Sequence, residues 1–162
     1  MATLVALKFD TPDGADKALA LAADLQRQEL LQVQDAASVS WPVGRKNPKT
    51  KQAHNLAGPL ALGGAFWGLL FGLLFFVPFF GMAVGAAMGA LAGAMSDYGI
   101  SDDFIKSVRD KVTPGTSAAF LLTSNATEDK VLNAFKTLPK FEIISTNLSK
   151  EQEDKLRETF GE

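Results

Sequence analysis

Forty consecutive residues, Leu56 to Met95, carry no charged side chain. Within that run glycine recurs at every fourth position in two blocks, Gly64, Gly68 and Gly72, then Gly81, Gly85, Gly89 and Gly93, with Pro78 between them. Residues four apart share a face of a helix, so each block forms a smooth stripe along which another helix can approach closely. The pattern predicts an apolar helical hairpin made for helix-to-helix contact, with its turn at Pro78.

A helix over Gly58 to Val77 would be about 30 Å long and one over Phe79 to Ser96 about 27 Å. Both approach the hydrocarbon thickness of about 30 Å that a spanning helix must cross. Arg45, Lys46, Lys49 and Lys51 precede the run, and Asp97, Asp102 and Asp103 follow it. Positive residues beside an apolar segment stay on the side of synthesis, which places both termini in the cytoplasm and the protein at a cytoplasmic membrane. The tip, Phe75 to Gly81, has no polar anchor. Backbone groups freed at Pro78 are poorly satisfied in lipid, so burial against sister copies is expected, with lipid around the assembly.

Composition narrows the partners. A formal charge of -2 over 162 residues offers no basic face for nucleic acid, and the absence of cysteine removes disulfides and thiolate chemistry. Residues 1–10 carry Lys8 and Asp10 within the apolar stretch, unlike a secretory signal.

The flanks repeat one another. Thr3 to Phe9 reads as a strand, Asp13 to Leu30 as a helix with Ala18, Leu21, Ala22 and Leu25 on one face, and Val33 to Trp41 as an alternating strand. After the hairpin, Thr116 to Thr123 is a strand, Thr127 to Leu138 a helix, and Lys140 to Leu148 a strand. Two βαβ halves suit an α+β, ferredoxin-like fold, in which helices cover one face of a four-stranded antiparallel sheet. Ser101 caps a further helix ended by Pro114-Gly115, and Ser149 with Gln152 forms a capping box for a last one bearing Leu156 and Phe160. The organisation is therefore residues 1–44 as the first half, 45–55 as a basic linker with a loop over Pro42 to Gln52, 56–96 as the hairpin, and 97–162 as linker helix, second half and C-terminal helix.

The stretch LAGPLALGGAFWGLLFGLLFFVPFFGMAVGAAMGALAGAMSDYGISDDFIKSV, Leu56 to Val108, framed by the two βαβ units, resembles a widespread bacterial family of unknown function described as predicted membrane proteins. GGAFWGLLFGLLF (Gly63 to Phe75) and DYGISDDFIK (Asp97 to Lys106) carry the likeness most specifically. The resemblance implies the fold and the membrane label but no biochemical activity, although some members are loosely labelled stress-associated.

Little points to catalysis. His54 is the single histidine and sits in the polar approach to the hairpin. Asp97, Asp102 and Asp103 suit a helix start better than a metal site, and the hairpin glycines lack the lysine of a phosphate loop. No catalytic residue, metal or cofactor is expected. Asp35 is the unusual carboxylate: it falls in the apolar phase of its strand, so it either pairs with a basic residue on a neighbouring element or marks a bulge. The leading expectation is a homo-oligomeric, membrane-associated scaffold. An oligomeric pore, a closed soluble assembly with buried hairpins, and a membrane-anchored ligand sensor are the alternatives.

Overall fold

The structure, a computed structural model, describes residues 2–46, 48–52, 64–76, 95, 97–126 and 133–160. In chain order these form β1 (Ala2–Phe9), α1 (Gly14–Arg27), β2 (Leu31–Ser40), β3 (Lys49–Gln52), α2 (Gly64–Phe71) running on into a π turn (Gly72–Phe76), α3 (Asp102–Lys111), β4 (Ser117–Ala126), β5 (Phe141–Leu148) and α4 (Lys150–Phe160). Residues 133–135 are also helical. The strands form one five-stranded antiparallel sheet in the order β3-β2-β4-β1-β5. The fold is α+β.

Three local expectations change. The sheet has five strands rather than four, because Lys49–Gln52, expected as loop, pairs with Ala37–Ser40 of β2. Helix α1 stops at Arg27, short of Leu30, where Glu29 turns into the left-handed region at φ 61° and the Leu30 amide bonds back to the Leu25 carbonyl at 3.0 Å. That pattern closes a helix by satisfying carbonyls which would otherwise be orphaned. The third change is the phase of β2. Register shifts on both sides of Val33 carry the pairing from Val33–Thr123 directly to Asp35–Leu122, so Val33 faces one side of the sheet while Asp35, Ala37 and Val39 face the other. An extra residue in one strand flips everything beyond it.

Most consequential is that helices cover both faces of the sheet. On one face, α1 and the helical residues near Phe135 bury Leu7, Phe9, Ala36, Ala119 and Leu121. On the other, α2, its π turn and α3 bury Leu4, Ala6, Ala37, Val39, Phe120 and Leu122. Strand β4 accordingly runs Ala118-Ala119-Phe120-Leu121-Leu122 with no exposed position. An antiparallel strand solvated on one side would alternate instead.

Capping follows the sequence reading. Ser101 Oγ accepts from the Phe104 amide at 3.2 Å, and Ser149 and Gln152 exchange bonds at 2.9 and 3.2 Å. At the β1–α1 turn, the hydrogen bond from Lys8 Nζ at 2.7 Å holds the Asp10 carboxyl below its ordinary value of 3.8. A side-chain hydrogen bond with Thr11, then the charge of Lys17, does the same for Asp13. A carboxyl with a lowered folded-state pKa contributes stability that is present above its unfolded value and is lost as the pH falls. Asp10→Asn should therefore flatten the dependence of stability on pH below about 4 and leave it unchanged near neutrality, as read by urea unfolding at a series of pH values.

Gly14 opens α1 against Phe9 so closely that a Cβ there would lie 2.4 Å from Phe9 Cβ. Gly14→Ala should cost about 1–3 kcal/mol in denaturant unfolding, since the strand and helix cannot separate without opening the core.

Candidate functional site

The described part of the apolar run is seated on the protein's own sheet. Phe66, Trp67, Leu70, Phe71, Leu73, Leu74 and Phe75 are all buried. Two of them meet Phe120 of β4: Phe71 edge-on at 5.3 Å between ring centroids and Trp67 at 6.4 Å. Trp67 stacks on Phe71 at 5.7 Å, and Phe75 meets Trp41 edge-on at 6.2 Å. Such pairs contribute about 0.5–1.5 kcal/mol each beyond their area burial, and the residues of the cluster interlock.

Two polar contacts fix the arm's rotation and height. Trp67 Nε1 donates to Asp35 Oδ2 at 2.9 Å, while the Ala36 amide donates to Oδ1 at 2.8 Å. Asp35 is fully buried. The bulge expected as one explanation of this carboxylate is present, and an indole on the apolar arm donates to it. At the other end, Arg109 Nη2 of α3 donates to the Leu73 carbonyl at 2.9 Å, inside the π turn. A π turn departs from the regular helical ladder and often leaves a carbonyl to an outside donor.

Of the glycines expected to form packing stripes, Gly64 lies in α2, Gly68 is exposed and Gly72 is half-buried. Among the described residues, a Cβ on Gly68 or Gly72 would meet no heavy atom within 4 Å. The aromatic side of the arm therefore holds the sheet, and the glycine edge points away from it. Pro78, Gly81, Gly85, Gly89 and Gly93 lie outside the described residues, as does His54. The expectation of one continuous α-helix over Gly58 to Val77 is corrected within its described part, where α2 gives way to the π turn at Gly72. Among the described residues no helix is long and apolar enough to cross a membrane.

The basic residues divide between two settings. Arg45 and Lys46 are exposed after β2, whereas Lys49 and Lys51 stand exposed on the edge strand β3, opposite Ser40 and Ser38. Asp102 and Asp103 are exposed in the first turn of α3, where their charge suits the helix N-terminus, and Asp97 is exposed just before it. No group of three metal-ligating side chains occurs among the described residues.

Sequence reasoning singled out Asp35 but neither Trp67 nor Arg109. The available signal was chemical: an indole N–H inside an apolar run needs an acceptor, and Asp35 was the acceptor without an obvious place. Trp67→Phe keeps an aromatic ring at the site and removes the donor together with the pyrrole half of the indole. It should destabilise the protein by about 1–3 kcal/mol, and the penalty should shrink when Asp35→Asn is added, as measured in a double-mutant cycle of unfolding free energies.

No curated protein and no solved structure matches the chain. Over residues 61–161, well over half of its length and including the arm, α3, β4, β5 and α4, it matches a family model, and the protein thus belongs to the family described as "Protein of unknown function (DUF1269)".

Proposed function

We propose that this protein is a self-associating structural protein of the bacterial inner membrane, a ferredoxin-like domain whose inserted glycine-rich hairpin links copies of the chain. The strand order β5-β1-β4-β2, in which every neighbouring pair is antiparallel and the second strand of each βαβ unit lies beside the first strand of the other, supports the ferredoxin-like reading; β3 extends that sheet by one edge strand. The observation that carries the functional reading is the two-sidedness of the arm. Its aromatic side is bound to the sheet through Trp67, Phe71 and Phe75, while Gly68 and Gly72 face open space among the described residues. Close helix approach is what glycine spaced by four permits, and a second copy presents the same edge.

The uncharged run from Leu56 to Met95 and the cations before it support a membrane setting with both termini cytoplasmic. In this arrangement the arm's foot belongs to the cytoplasmic domain, and lipid contact falls to the remainder of the run.

Gly68→Leu tests the assembly. The added side chain enters open space in a single chain, so the unfolding midpoint should stay within the range of ordinary surface changes, about 0.5 kcal/mol. The oligomer, read by sedimentation in detergent, should dissociate or change size. A monomer in the unsubstituted protein, or an unchanged oligomer in the variant, would overturn the assignment. Flotation with anionic vesicles tests the membrane component separately, and a large particle that stays in solution without detergent and does not float would replace it with a closed soluble assembly.

A further inference from the structure

Beside the foot of the arm, Trp41, Leu74, Phe75, Arg109, Val112 and Pro114 wall a half-open pocket of about 160 Å³. A cavity of that order accepts an apolar body about the size of a benzene ring. The wall is aromatic and aliphatic on most sides, and one cation stands in it.

That cation is incompletely satisfied. Arg109 uses Nη2 to hold the Leu73 carbonyl at 2.9 Å, but its Nε is buried and has no hydrogen-bond partner among the described residues. It makes no ion pair with any described carboxylate. A buried guanidinium N–H left without an acceptor is costly, and a charged one more so than a neutral one. The arginine is also fixed in place by its bond to the π turn. Its fork is therefore positioned before any partner arrives, which lowers the entropy lost on binding.

We propose that this pocket binds a small carboxylate with an apolar body, an aromatic or short-chain fatty carboxylate. The carboxylate pairs with Arg109, and the body lies against Trp41 and Phe75. A planar carboxylate matches the guanidinium fork that stands in the wall. The volume excludes a two-chain lipid, and inorganic phosphate would leave the apolar walls unfilled. This inference is independent of self-association, because the pocket lies between the arm's foot and α3 within one chain. Occupancy would add a contact between α3 and the π turn, tightening the joint that Arg109 already makes.

The full-length protein titrated with benzoate and hexanoate, followed by calorimetry and by the fluorescence of Trp41, is the direct test. Benzamide, hexanamide and inorganic phosphate serve as controls. Saturable binding of a carboxylate with a Kd of about 1 mM or tighter is expected, with the matching amide and phosphate at least about tenfold weaker. Trp41→Phe should remove the fluorescence response while calorimetric binding persists. Arg109→Gln should weaken carboxylate binding at least about tenfold without changing that of the amides. Should that variant loosen the arm, the comparison of carboxylate with amide in the unsubstituted protein decides alone. Absence of saturable binding by both carboxylates, or equal binding of acid and amide, would overturn the proposal.

Discussion

The requirement that both faces of one sheet be kept from water governs this molecule. Strands β1, β2 and β4 present apolar side chains to both faces of the sheet, so a helix layer on one side alone would leave Phe120, Leu122, Val39 and Leu4 exposed. The first half of the apolar run meets that need. Seen from the sheet, Phe66 to Phe75 is a core element of the α+β domain, and its lack of charge follows from burial as naturally as from contact with lipid. Hydropathy alone does not separate these causes, since a helix buried on most sides by protein is as uncharged as one surrounded by acyl chains.

Polar contacts decide how the arm sits. Aromatic packing tolerates sliding and rotation at modest cost, whereas a buried carboxylate tolerates neither. The bulge in β2 aims Asp35 at the arm, the indole of Trp67 answers it, and Arg109 holds the other end through Leu73. Removing one partner from such a contact costs more than the contact itself contributes, because the remaining group stays buried. The arm is thus attached at two levels along its length by residues from two elements distant in sequence.

Much of this was legible beforehand. Strands β1, β2, β4 and β5 announced themselves through β-type apolar runs, and α3 and α4 through their caps at Ser101 and at Ser149 with Gln152. Strand β3 was not, for a physical reason: Lys-Thr-Lys-Gln has no apolar alternation, which is how an exposed edge strand is kept from pairing with other molecules. The second helical layer was also missed, although the unbroken run from Ala118 to Leu122 is what a strand buried on both faces looks like. Asp35 was recognised as anomalous, but its indole partner lies 32 residues away in a segment whose periodicity spoke only of glycine. The π turn at Gly72 had no sequence signature distinct from that of the α-helix before it.

The strand order bears on how the chain is made. Neighbours β1 and β4, and β2 and β4, are joined only when β4 has been synthesised, because β4 lies between the two N-terminal strands. The aromatic arm thus leaves the ribosome roughly 50 residues before Phe120, its seat, exists, an interval of several seconds at ~5–20 residues per second. During that time its phenylalanines have no intramolecular shelter on β4. The arm is thus made before its seat, and its aromatic side can close on the sheet only after β4 has followed it out.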